Sequence, residues 1–192
     1  TLPEVSYLMG RILGAKHMVD FSSFTADQAE QARNAIQPLA GHSFQLSWAL
    51  RKPYGYAGDF FALETLYENE VSPSSTPLGK LLDRWFLGTQ LANGVRDRKN
   101  MLSAFIERKV RAHMQFSDEP FRLLSLASGS ARELRDLPPE VLARIDITLV
   151  DQDARSLEFA TQHLPSSVTG LQRNALRLKA SSFPHRFDLV YS

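Results

Sequence analysis

The stretch Phe121-Arg-Leu-Leu-Ser-Leu-Ala-Ser-Gly-Ser-Ala-Arg-Glu-Leu134 constrains this chain more than any other. An apolar run suited to a buried strand meets a turn of small residues, then a segment with helical character. A second apolar run, Ile145-Asp-Ile-Thr-Leu-Val150, follows and ends on Asp151. Strand, narrow turn, helix, strand and acid in that order describe an open α/β sheet that holds a nucleoside-bearing ligand. The turn lets backbone N–H groups approach the ligand, and the acid can accept the two ribose hydroxyls.

The remaining texture divides the chain. Residues 1–118 read as helices, and residues 119–192 as short β-rich runs alternating with helices, which argues for a parallel sheet. Helices are expected over Pro3–Lys16, from Thr25 to about Leu39 behind a Thr25/Gln28 capping-box pattern, and from about His42 to Leu50. Further helices are expected from Phe60 to about Asn69 behind Asp59, from Pro77 to about Leu87 behind Thr76, and from near Gln90 to Met114. Arg51–Gly58 is a loop, because Pro53, Gly55 and Gly58 interrupt regular structure. Strands are expected at Phe121–Leu126, Ile145–Val150, roughly Thr169–Arg173 and Phe187–Tyr191, with helices near Arg132–Asp136 and Ala154–His163. The last strand sits at the end of the chain and would leave an apolar edge unpaired, so a sheet truncated after its fourth strand is expected. Such an edge favours pairing between copies, a route to a homodimer.

Composition excludes several functions. A net charge of +1 gives no global attraction to nucleic acid or anionic membrane. There is no long uncharged apolar run and no signal-peptide pattern at the start, so no membrane association is expected, and a cytoplasmic setting is the default. The absence of cysteine removes disulfides, thiolate metal sites and cysteine nucleophiles. The five histidines have no metal-ligand spacing, and no metal is implied.

The turn narrows the cofactor. Dinucleotide folds place a third glycine at a position that Arg132 occupies here. Instead Ala127, Gly129 and Ala131 put small residues at alternate positions, with Ser128 and Ser130 between them. Asp153 suits a helix cap, which leaves Asp151 and its neighbour Gln152 for the ligand. Asn174, followed by Ala175, ends the third β-run where a side chain can face an adenine amino group. Asp188 reads as structural.

With loop, acid, Asn174 and Phe187-Asp-Leu-Val190 in that order, residues 121–192 resemble the class I S-adenosylmethionine-dependent methyltransferases. The resemblance implies a Rossmann-like half-sheet of order 3-2-1-4 preceded by a helical lid. It also implies S-adenosylmethionine as cofactor, held by Ala127 to Ala131, Asp151, Gln152, Asn174 and Ala175. One departure stands out. Many members carry an acid two residues before the loop's first small residue, where it helps bind the methionine amino group; here that position is Ser125.

A narrower resemblance begins in the helical half. Lys52, Pro53, Gly55, Tyr56, Ala57, Gly58 and Asp59, then Val95, Arg96 and Arg98, then Ala127 to Glu133, are similar to a bacterial group identified with biosynthesis of the extracellular factor 3-hydroxypalmitic acid methyl ester. That resemblance implies methyl transfer to the carboxylate of a 3-hydroxy fatty acid. A carboxylate acceptor is ionised at neutral pH and needs no general base. Tyr56, Asp59 and Arg96 are the candidate catalytic residues, with Tyr54 and Arg98 beside them. If the acceptor were an alcohol or an amine, Asp59 or His113 would be the candidate base. The loop at Tyr54–Asp59 is expected to face the sulfonium. The competing expectations are a non-catalytic module that binds S-adenosylmethionine or a protein partner, and a nicotinamide-dependent oxidoreductase, which the loop spacing disfavours.

Overall fold

The computed structural model describes residues 25–192 apart from positions 57 and 166. The expected helix at Pro3–Lys16 lies outside the described residues. The chain forms two compact units, Thr1–Val95 and Arg96–Ser192.

In the first unit, helix α1 spans Ala26–Ala40 and α2 spans Phe44–Arg51. Ser43 caps α2 by accepting from Leu46 N–H, and Lys52 ends it in the left-handed conformation. Helix α3, Phe60–Glu68, starts at Asp59, whose carboxylate accepts from Ala62 N–H at 2.9 Å. Helix α4, Pro77–Leu87, starts at Thr76 with Pro77 in its first turn, as the sequence predicts. Leu82 packs among Leu39, Leu46, Leu81 and Trp85, while Leu66, Leu87 and Ala92 form a second small core. Asp83 is fully buried and accepts from the hydroxyls of Ser43 and Ser75, a polar tie between the start of α2 and α4.

Helix α5, Gln90–His113, begins in the first unit and runs into the second. Helix α5 ends at His113 and the first strand begins at Phe121. The second compact unit starts earlier because Ile106 and Val110 of α5 belong to its core.

That unit is a four-stranded, all-parallel sheet. Strand β1 is Phe121–Leu126, followed by two single-turn helices, α6 (Arg132–Arg135) and α7 (Pro139–Leu142). Strand β2 is Ile145–Asp151, helix α8 is Ala154–Gln162, and β3 is Thr169–Gln172. Two 3₁₀ turns, Ala175–Arg177 and Ala180–Ser182, lead to β4 at Leu189–Tyr191. The order is β3-β2-β1-β4, as expected. Register runs from Phe121 opposite Ile145 to Leu126 opposite Val150, and Ser125 lies beside Tyr191. One face of the two central strands, formed by Phe121, Leu123, Ile145, Ile147 and Leu149, is apolar and belongs to the core, while the opposite face combines Arg122, Asp146 and Thr148 with buried Leu124 and Val150. Leu123, Ile147 and Leu149 form the heart of the core with Leu134, Val141 and Ala160 from the connecting helices. Asp188 is structural: its carboxylate accepts from Arg122 N–H and its own N–H donates to Arg122 O, fixing the start of β4 against β1.

Candidate cofactor site

The turn after β1 holds its small residues in an unusual backbone state. Ala127, Gly129 and Ala131 all adopt the left-handed conformation, at φ 51°, 54° and 50°. Glycine takes this conformation freely, whereas alanine is strained in it by about 1–2 kcal/mol. The alternation seen in the sequence therefore marks alternating left-handed residues. The loop is fastened at both ends: Ser128 N–H donates to Val150 O at 3.0 Å, and Ala131 N–H donates to Ser128 O at 2.9 Å.

Asp151 closes the arrangement. It is only 9% exposed, and Oδ2 accepts from Gly129 N–H at 2.8 Å while Oδ1 accepts from Asp153 N–H at 2.9 Å. One carboxylate thus sets both the crest of the loop and the turn into α8. An ionised carboxylate offers about four lone-pair positions, so these two bonds leave room for ribose hydroxyls. Asp153 takes the capping role expected of it by accepting from Arg155 N–H, and its bond to the Arg155 side chain holds its carboxyl below the usual range.

The other expected ligand residues lie around this centre. Ser130 and Ala131 are buried and Gln152 is exposed, with its carbonyl accepting from the Gln172 side chain. Arg173 N–H donates to Asp151 O, which carries the chain from β3 toward Asn174. Asn174 is exposed and caps the turn that begins at Ala175, accepting from Leu176 N–H at 2.9 Å. A cavity of about 530 Å³ opens there, lined by Leu171, Asn174, Leu178 and Phe183 among others.

Sequence reasoning missed one cluster. The Tyr191 hydroxyl, at the end of β4, donates to Glu133 Oε1 at 2.7 Å, and Ser125 is a second hydrogen-bonding partner of the same hydroxyl. The Glu133 carbonyl accepts from the Ser103 hydroxyl of α5 at 2.8 Å. Burial pushes the Glu133 carboxyl up, against the opposing pull of the Tyr191 bond and the Arg98 charge. Burial, then the Glu133 charge, raises the Tyr191 phenol well above its ordinary value. The available signals were an acid in the first turn after the loop and a tyrosine at a strand end, but joining them requires the β1–β4 pairing.

The candidate catalytic residues fall in both units. In the first, Asp59 is fully buried; besides capping α3 it accepts from Trp48 Nε1, at 3.0 Å for the nearer oxygen. Tyr54 stacks on Phe60 and meets the edge of Trp48, within an aromatic group that includes Phe44 and Phe61. Gly55 and Gly58 take positive φ, so the loop turns sharply and leaves Tyr56 44% exposed. In the second unit, Arg96 is half-buried and Arg98 exposed on α5. His113 bonds through Nε2 with Glu119 O. Among the described residues no group of His, Cys, Asp and Glu could hold a metal ion, and no helix is long and apolar enough to cross a membrane.

The family described as "Putative methyltransferase" matches residues 32–164. A search of curated proteins finds no match. Among solved structures, the plantazolicin methyltransferase BpumL, in complex with a monoazolic desmethylPZN analog and SAH, is similar at 12% identity and a TM-score of 0.41. The match covers 82% of this chain and 48% of that one, so the chain spans about half the length of that enzyme. The family match takes in both the Lys52–Asp59 loop and the turn after β1, and on that evidence the chain belongs to this methyltransferase family.

Proposed function

We propose that the chain binds S-adenosylmethionine at the turn after β1 and transfers its methyl group to a small molecule, with the carboxylate of a 3-hydroxy fatty acid as the acceptor. The observation that carries the proposal is the left-handed loop tied to the buried Asp151, in a chain of a methyltransferase family.

The residues present fit this cofactor. Ser128 Oγ is buried with no hydrogen-bond partner. A hydroxyl left so is destabilising by about 1–3 kcal/mol, a cost a polar ligand atom would remove. Asp151 would take the ribose hydroxyls with its remaining lone pairs. The cavity beside Asn174 supplies apolar walls from Leu171, Leu178 and Phe183 for a flat base, with the Asn174 amide at its edge. Ala127, Ser130, Gln152 and Ala175 complete this set.

When bound, the cofactor supplies an electrophilic methyl group on sulfur. The protein's part is to align the acceptor and exclude water. A carboxylate acceptor suits this chain because Asp59, committed to Trp48 and to the start of α3, would have to abandon both to serve as a base. In this proposal Tyr56 and Arg96 orient the acceptor, and Asp59 fixes the loop that presents Tyr56. Residues 1–118 act as the lid and substrate region, and 119–192 hold the cofactor. The assay is transfer of a labelled methyl group from S-adenosylmethionine to 3-hydroxy fatty acids, with their methyl esters and amides as controls. Label in the acid series alone supports the carboxylate; label only in hydroxyl or amine acceptors removes it.

A further inference from the structure

The strand order changes direction between β1 and β4, and in an open parallel sheet ligands bind at the carboxyl ends of the strands beside such a point. The loop of Ala127–Ala131 leaves β1 there, flanked by β2 on one side and β4 on the other. Each flank carries a carboxylate. On the β2 side it is Asp151. On the β4 side it is Glu133, held by Tyr191, which lies in register beside Ser125.

The cofactor proposed above is also two-sided. Its adenosine end offers a ribose diol, and its other end offers an α-ammonium and a carboxylate. An ammonium makes its strongest hydrogen bonds to an acceptor of negative charge. Ser125, 1% exposed, cannot supply it. Asp136 is already bound by Lys99 and Arg132, and Asp153 by Arg155. Asp151 lies on the β2 side, where the cofactor reading assigns the lone pairs left by its two backbone N–H bonds to the ribose hydroxyls. Glu133 has a hydroxyl, not a cationic side chain, as its hydrogen-bonding partner.

We propose that Glu133 is the carboxylate that receives the cofactor's α-ammonium, in place of the acid missing at Ser125, and that Tyr191 holds it ready on the β4 side of the loop. This assignment rests on the cofactor reading above. Arg98 of α5 adds a positive charge near Glu133, and Asp136 adds a negative one.

The test is titration calorimetry with two ligands, S-adenosylhomocysteine and 5′-methylthioadenosine, which lacks the amino-acid arm. Wild type, Glu133→Gln and Tyr191→Phe are compared. Glu133→Gln is expected to weaken S-adenosylhomocysteine roughly tenfold to a hundredfold, the loss of one charge-assisted hydrogen bond, and to leave 5′-methylthioadenosine unchanged within about twofold. Tyr191→Phe, which breaks the same Glu133 bond but keeps the charge, is expected to bind S-adenosylhomocysteine within about threefold of wild type. Wild-type affinity in Glu133→Gln, equal losses in the two variants, or equal losses for the two ligands would each overturn the assignment. If Glu133→Gln does not fold, Glu133→Asp replaces it, and an S-adenosylhomocysteine affinity equal to wild type then overturns it. Wild type that binds neither ligand removes the cofactor reading itself.

Discussion

The strain in the loop can be measured by removing it. Ala127 is exposed and left-handed, so Ala127→Gly deletes only a methyl group that the backbone state disfavours. Relief is about 1–2 kcal/mol, and the greater freedom of glycine in the unfolded chain offsets about 0.5–1 of it. The net expectation is a stabilisation of about 0.5–1 kcal/mol, or a rise in Tm of roughly 2 °C. Ala131 has the same φ but is 1% exposed and part of the sheet's core. Ala131→Gly therefore also loses a buried methyl, about 0.8 kcal/mol, and should come out near zero. Urea unfolding followed by far-UV circular dichroism measures both variants. A destabilisation of about 0.5 kcal/mol or more in Ala127→Gly, or the reverse ranking of the two, would refute the claim that left-handed geometry strains this loop.

Asp151→Asn leaves at least one of the Gly129 and Asp153 N–H groups without its carboxylate oxygen and should cost about 1–3 kcal/mol, read by thermal melting. Asp59→Asn disturbs both the cap of α3 and the Trp48 indole bond; a loss of about 1–2 kcal/mol with a shifted Trp48 emission, read in a Trp85→Phe background, is expected. Because burial raises the Glu133 carboxyl in the folded state, the folded chain binds this proton more tightly, and stability falls as pH rises from about 4.3 through the raised value. Glu133→Gln should flatten that part of the pH–stability curve. Asp136 behaves oppositely. Partial burial pushes its carboxyl up, but the bond to Lys99 and the charges of Lys99 and Arg132 outweigh this and hold it low, so its contribution is present at neutral pH and fades as acid protonates it. Lys99→Ala should remove about 0.5–1 kcal/mol at pH 7 and progressively less as acid protonates Asp136.

The sheet-bearing unit was legible because its signals are local. Apolar runs with small-residue breaks gave β1 and β2 almost to the residue, and Asp153, Asp59 and Thr76 act as the caps their positions imply. The single-turn helix Pro139–Leu142 was not legible, since four residues carry no periodicity. The two 3₁₀ turns before β4 were hidden for the same reason, and β4 is shorter at its start than the run from Phe187 implies. The role of Asp151 in fixing Gly129 was only half visible: the acid's place at a strand end is a sequence feature, but its bond back to the loop spans 22 positions. The Glu133–Tyr191 pair spans 58 and exists only because β4 lies beside β1.

The most direct test of the central claim is an amide NMR titration of the chain with S-adenosylhomocysteine. The largest shifts are expected at Ser128, Gly129, Ser130 and Gln152, the amides around the bend that Asp151 fastens. Saturable shifts confined to other segments, with Gly129 and Gln152 unmoved, would contradict that claim.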